Sequence, residues 1–242
     1  MNKIDRKVTE AVRHFWLTRE KQSQSQGGSA RDRDRGARSA VTGGAQLDGF
    51  AHLVSELLTE SGIPNSTIYK KKNVTLPGFF RPTKEWDLVV VIDGVLLATI
   101  EFKSQVGPSF GNNYNNRAEE ALGSATDLLT AYREGAFCAS PKPWLGYFML
   151  LEETIKSLAP VAVKEPHFKV FEEFKESSYA KRYELFCLKL IRERLYDAAC
   201  FILSDKAGGL AEGRFREPSS ELTFRRFAES LTARAIAYKR FK

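Results

Sequence analysis

The sequence predicts an α/β fold, a mixed β-sheet flanked by helices, as a single domain over residues 1–242. Three observations predict it. Two strand-length apolar runs lie either side of Asp93-Gly94, a dipeptide suited to a tight hairpin turn. Downstream of the hairpin a helical pattern leads to another apolar run, Trp144 to Leu151. Strand, helix, strand in that order predicts a right-handed crossover and a parallel pair, so antiparallel and parallel pairing share one sheet. Further segments repeat apolar residues at helical spacing and supply the flanking layers.

The elements follow in chain order. Residues 3–20 place Ile4, Val8, Val12, Phe15 and Trp16 on one helical face. Residues 21–46 lose this periodicity and read as a polar, basic loop or arm, with Gln/Ser/Gly tracts and Arg31, Arg33, Arg35 and Arg38. Leu47 to Ser61 is a second helix, ended by Gly62 and Pro64. Residues 68–76 suit a short strand, and Pro77-Gly78 and Arg81-Pro82 break the chain before the hairpin. A loop from Val106 to Asn116 follows it, and Arg117 opens a third helix that stops at Gly135. Tyr179 to Leu195 is helical and Ala198 to Leu203 a strand. Lys206 to Pro218 is a glycine-containing loop, and Thr223 caps a last helix carrying Arg225, Arg226, Arg234, Lys239 and Arg240.

The net charge of +7 is uneven. Residues 1–46 carry a net +5, residues 206–242 another +5, and the segment between them −3. Two basic arms around a slightly acidic centre suit a polyanion, because each Lys or Arg on a phosphate releases counterions. They equally suit a solubilising surface. No apolar stretch is long enough to span a membrane, and three scattered cysteines fit a reduced, cytoplasmic setting.

The chemistry concentrates at the open end of the hairpin, at Asp87, Glu101 and Lys103. Glu101 and Lys103 are two apart, so on a strand they share a face and Phe102 points away. Asp87 reaches that face only if it stands opposite Glu101. A regular two-residue loop at Asp93-Gly94 pairs Asp87 with Ile100 instead and turns the acids apart. The hairpin therefore needs an odd-length loop or a β-bulge. Two acids brought together at a buried strand end need a cationic partner. A divalent metal is the simplest one, and metal-dependent phosphodiester hydrolysis is the chemistry it suits. Asp87, Glu101 and the Phe102 carbonyl are the expected ligands, with Glu56 on the second helix as a further acid; Lys103 orients the attacking water. A salt-bridged strand end is the plainer alternative. A second Glu-Phe-Lys at 173–175 lacks both the acid and the apolar strand, and reads as solvated surface.

Beside these residues lies a loop rich in amide side chains: Ser104, Gln105, Asn112, Asn113, Asn115, Asn116 and Arg117. Asn and Gln pair bidentately with adenine, and Arg with guanine. These residues are candidate DNA contacts, together with Arg81 and Lys84 ahead of the hairpin. Asn115 or Asn116 also suits a helix cap.

The motifs Leu47-Asp-Gly-Phe50, Leu76-Pro-Gly-Phe-Phe-Arg-Pro-Thr-Lys-Glu-Trp-Asp87, Glu101-Phe-Lys-Ser104 and Val106-Gly-Pro-Ser-Phe-Gly-Asn-Asn-Tyr-Asn-Asn-Arg-Ala-Glu-Glu120 resemble the XhoI family of type II restriction endonucleases, within the PD-(D/E)xK nucleases. The resemblance runs to about residue 195. It implies a PD-(D/E)xK nuclease-like mixed sheet, Mg²⁺ as cofactor, double-stranded DNA as substrate cut at the palindrome CTCGAG, a homodimer and a cognate DNA methyltransferase. The motif's acids map to Asp87 and Glu101 and its lysine to Lys103, with Trp86 where the label has proline. Two other readings stand beside it: a structure-specific repair or recombination nuclease of the same fold, and a catalytically idle DNA-binding protein.

Overall fold

The computed structural model describes residues 3–26, 44–138 and 140–240. The alternation of side chains along each strand builds the molecule as three layers. Helices α1 (Lys3–Gln26) and α2 (Asp48–Glu60) precede the short strands β1 (Ile68–Tyr69), β2 (Thr75–Pro77) and β3 (Thr83–Glu85). The hairpin follows as β4 (Leu88–Ile92) and β5 (Val95–Gln105), then α3 (Gly111–Arg133), β6 (Trp144–Glu152) and the single turn α4 (Ile155–Leu158). The chain ends with α5 (Tyr179–Arg192), β7 (Ala198–Ser204), α6 (Lys206–Glu212) and α7 (Phe224–Arg240).

The main sheet has the order β1-β4-β5-β6-β7. The β1/β4 and β4/β5 pairs are antiparallel, and β5/β6 and β6/β7 are parallel, so the sheet is mixed. β2 and β3 form a separate antiparallel ribbon. In β6 and β7, Phe148, Leu150, Cys200 and Ile202 face a core made with α1, α2 and α7. Their neighbours Tyr147, Met149, Ala199 and Phe201 face a second core made with α3 and α5. Strands buried on both faces read as unbroken apolar runs for this reason.

Several expected boundaries move. α1 continues through Gln26, because polar Gln and Ser residues do not terminate a helix already anchored by Val8, Val12, Phe15 and Trp16. Of the 21–46 arm, residues 27–43 lie outside the described residues, and Gly44–Leu47 is a 3₁₀ turn leading into α2. The 68–76 segment splits between β1 and β2, which belong to different sheets. Lys206 to Glu212 is a helix rather than a loop, capped by the Asp205 carboxylate, which accepts from the Gly208 N–H at 2.7 Å. Gly209 is needed there because a Cβ would lie 2.0 Å from the buried Trp16 ring. Thr223 caps α7 as expected, accepting from the Arg226 N–H at 3.2 Å.

The largest change is at α3, which starts at Gly111, six residues before Arg117. The asparagines are therefore helical. Phe110 holds the cap position without a side-chain hydrogen bond, so neither Asn115 nor Asn116 is the cap. Buried Phe110, stacked on Tyr179, anchors this end more strongly than asparagine's preference for turns opposes it.

Candidate active site at the open end of the hairpin

The hairpin solves its register problem with a bulge. Ile92 pairs with Val95 across a two-residue turn in which Asp93 and Gly94 both have positive φ. Val91 pairs with Leu96, but Val90 pairs with Ala98, leaving Leu97 as the extra residue. Leu97 and Ala98 consequently face the same core while Leu96 faces the other. The pairing then runs regularly to Leu88 and Ile100, and the same register carried one residue further would set Asp87, just before β4, opposite Glu101. Directly opposed residues share a face of the sheet.

Asp87 Oδ2 accepts the Phe102 N–H at 2.7 Å, bridging the strands where β4 ends. Within a strand a residue's N–H and C=O point to the same side, so the Phe102 carbonyl also faces the Asp87 edge. Glu101 is 4% exposed and carries two ammonium partners: Lys103 Nζ at 2.5 Å and Lys84 Nζ at 2.8 Å. Lys84 also lies 4.4 Å from the centre of the Trp86 ring. Burial alone would raise the Glu101 carboxyl, but the two lysines overcome it and hold it below its ordinary value. Burial would likewise depress Lys103, and the Glu101 and Asp87 carboxylates reverse this and raise it. Asp87 goes the other way. Burial raises it, repulsion from Glu101 adds to the rise, and Lys103 only partly offsets them. The cluster thus holds one carboxylate matched by lysines and a second short of positive charge.

A groove of about 520 Å³ opens at Asp87, lined also by Phe102, Trp86 and Glu85 and, across it, by Asp48, Lys70 and Lys71; Glu101 and Lys103 do not line it. Asp48 pairs with Lys71 at 2.5 Å. Glu56 does not line this groove. It lies two turns further along α2, about 12 Å at 1.5 Å per residue, and pairs with Lys7 at 2.9 Å and His52 at 3.3 Å. The acid that α2 turns toward the hairpin is Asp48; its signal was the Leu47-Asp-Gly-Phe50 motif. Among the described residues no three His, Cys, Asp or Glu side chains gather closely enough to hold a metal by themselves.

The expected DNA contacts differ in where the fold places them. Asn112, Asn115 and Asn116 are exposed on the first turns of α3, and Ser104 and Asn113 are half-buried. The Asn113 amide donates to the Ser109 carbonyl at 2.8 Å. Arg117 pairs with Glu120 at 2.7 Å, and its charge opposes that of Lys103, so α3 brings it toward the hairpin end. Gln105 is turned inward. It donates to the Ser109 and Phe110 carbonyls at 3.1 and 3.0 Å and accepts from the Tyr183 hydroxyl, so it cannot reach a base. Its place on β5 explains this: three residues beyond Phe102 the strand end is covered by α3 and α5. Lys84, expected on DNA, sits instead against Glu101. The second Glu-Phe-Lys is an exposed 3₁₀ turn in which Lys175 pairs with Glu172.

A profile of the family described as "Restriction endonuclease XhoI" matches residues 22–217. The type II restriction enzyme BstVI of Geobacillus stearothermophilus is 54% identical over 207 residues, covering 84% of this chain and 92% of that protein. The type II restriction enzyme XhoI of Xanthomonas vasicola is 44% identical over 77% of this chain and 75% of its own length. AbrI of Azospirillum brasilense is 49% identical over 68% and 74%. No solved structure matches the chain. With the match spanning both α2 and the hairpin, the chain belongs to the XhoI family of type II restriction endonucleases, enzymes that cleave double-stranded DNA at specific sequences.

Proposed function

We propose that this endonuclease hydrolyses phosphodiester bonds at the palindrome CTCGAG in an Mg²⁺-dependent reaction, with Asp87, Glu101 and Lys103 as its catalytic residues. The observation that carries the reading is the Leu97 bulge, which sets Asp87 and Glu101 on one face with Lys103 beside them. Few purely structural roles require two carboxylates to face each other at a strand end.

The donor set fits a hard divalent cation. Asp87 and Glu101 offer carboxylate oxygens, and the Phe102 carbonyl faces the same edge; all are oxygen ligands of the kind Mg²⁺ takes. Burial, with repulsion from Glu101, raises the Asp87 carboxyl, and a cation bound there would favour its ionised form. Among the described residues no third acid stands close enough to join them, so water and the DNA phosphate would have to complete the set. Bound there, Mg²⁺ supplies Lewis-acid polarisation of the phosphate and a lowered pKa for water. Lys103, kept charged by its two carboxylates, would orient the attacking water and offset negative charge on the oxygens of the pentacoordinate transition state. Glu101 fixes the Lys103 ammonium within hydrogen-bond reach. Arg117 and the exposed Asn112, Asn115 and Asn116 meet the duplex beside the scissile bond. The products carry a 5′-phosphate and a 3′-hydroxyl.

A palindrome has two-fold symmetry, and cutting both strands alike requires two subunits related by that axis. The active form is therefore a homodimer, functionally paired with a methyltransferase that protects the same site. The test is a plasmid holding a single CTCGAG, incubated with and without Mg²⁺. Linear product only with both site and metal is expected. Uniform nicking regardless of sequence would support a structure-specific nuclease instead, and a plasmid bound but left intact in Mg²⁺ would remove the catalytic assignment.

A further inference from the structure

The β2–β3 ribbon ends in a tip, Gly78-Phe79-Phe80-Arg81-Pro82, that points two large apolar side chains at solvent. Phe79 is 54% exposed and Phe80 70%. They touch each other edge-to-face with ring centres 5.6 Å apart, and no other aromatic contact involves them among the described residues. This tip is held rigidly.

The clamp is Asp127 on α3, only 2% exposed. Its Oδ1 accepts the backbone N–H groups of Phe79 and Phe80 at 2.7 Å each and that of Arg81 at 3.3 Å. Its Oδ2 accepts Arg81 Nε at 2.9 Å. The Gly78 N–H closes the tip on the Pro82 carbonyl at 3.3 Å. A Cβ at Gly78 would lie 2.4 Å from Asp127 Oδ2, so only glycine permits this approach. A buried carboxylate devoted to three successive amides and a guanidinium fixes where both rings point.

The ribbon is continuous with the candidate active site. From the tip, β3 runs to Lys84 against Glu101, then to Trp86 and Asp87.

We propose that the Phe79–Phe80 tip is a base-contacting element of this endonuclease: its two rings pack against base edges of the bound duplex, and Asp127 is the positioning residue that holds them there. The proposal rests on the duplex-cleaving reading above. Phenylalanine makes apolar contact with thymine methyl groups in the major groove and serves as a wedge between base steps in architectural proteins. The half-exposed Arg81 guanidinium, fixed through Nε, leaves its outer nitrogens for a phosphate at the same position.

The experiment measures affinity for a short duplex containing CTCGAG and for a scrambled duplex, in Ca²⁺, for the wild type, the Phe79→Ala/Phe80→Ala double variant and Asp127→Asn. The double variant removes only exposed side chains, so its thermal midpoint should match the wild type. Its affinity for the specific duplex should fall about tenfold to a hundredfold, the cost of losing buried aromatic contacts, while the scrambled duplex loses less than about threefold. Asp127→Asn should move the specific-to-scrambled ratio in the same direction, which a purely structural role would not do. An unchanged ratio in the double variant overturns the proposal. So does a shift of that variant to monomer in sedimentation, because the tip would then be a contact with a second copy of the chain. A wild type that cuts and binds normally beside an unaffected double variant refutes the tip alone; a wild type that retains neither duplex brings down the duplex-cleaving reading as well.

Discussion

The Phe102 N–H donates to Asp87 Oδ2 at 2.7 Å, one residue past the point where β4 stops pairing with β5. This bond joins two strands whose turn, taken alone, would have separated their acids. It exists because Leu97 is accommodated as a bulge, so that Asp87 meets Glu101 rather than Ile100.

Lys103→Ala should lower cleavage by at least about a hundredfold, the usual cost of removing a group that stabilises a phosphoryl transition state. Duplex binding should change much less, because the proposed DNA contacts lie apart from it on the exposed face of α3. Gel-shift and plasmid assays on one preparation check this. Substantial residual cleavage would remove Lys103 from the mechanism.

Asp87→Asn should stabilise the fold slightly and end cleavage. The amide oxygen still accepts the Phe102 N–H, while the repulsion with Glu101 disappears. Because the folded Asp87 carboxyl is raised, its ionised form is disfavoured by folding, and the benefit of neutralising it appears at neutral pH and fades as pH falls through its folded value. Thermal melts at pH 7 and at lower pH should show a higher midpoint that converges with the wild type.

Gln105→Ala and Asn116→Ala should separate stability from specificity. Gln105 is buried in a network with Tyr183 and the Ser109 and Phe110 carbonyls, so its loss should cost about 1–3 kcal/mol of stability with sequence preference unchanged. Asn116 is exposed, and its loss should leave the melting curve alone while weakening specific binding. A relaxed cutting preference in a stable Gln105→Ala protein would contradict the inward placement.

Asp127→Asn should destabilise in a pH-dependent way. Burial would raise this carboxyl, but the amides of residues 79–81 and the Arg81 guanidinium outweigh it and hold it below its ordinary value of 3.8. A depressed carboxyl contributes stability that is fully present above the unfolded value and is lost as pH falls through the folded one. Urea titrations should show a gap between wild type and variant that is constant at neutral pH, about 1–3 kcal/mol, and that narrows below pH 3.8. A gap independent of pH would mean that shape, not charge, makes the contact.

The sequence by itself determined the elements with strong periodicity. The apolar runs flanking Asp93-Gly94 and the run from Trp144 to Leu151 dictated the hairpin and the parallel strand, because burial rewards any backbone that satisfies them. It also determined Asp87, Glu101 and Lys103 as candidates and the parity condition they impose. How that condition was met lay beyond it: a three-residue loop and a bulge satisfy the same count, and packing Leu97 and Ala98 together into one core selected the bulge. Start points such as Gly111 were equally out of reach, since the contact of Phe110 with Tyr179 joins residues far apart in the chain. The same holds for polar side chains. Gln105 and Lys84 have no local signal that distinguishes a base reader from a buried link, and Asp127 none that marks it as the clamp of a distant tip. Polar groups take their roles from the partners that the fold delivers, and only tertiary structure brings residues 84 and 101, or 79 and 127, within hydrogen-bonding distance.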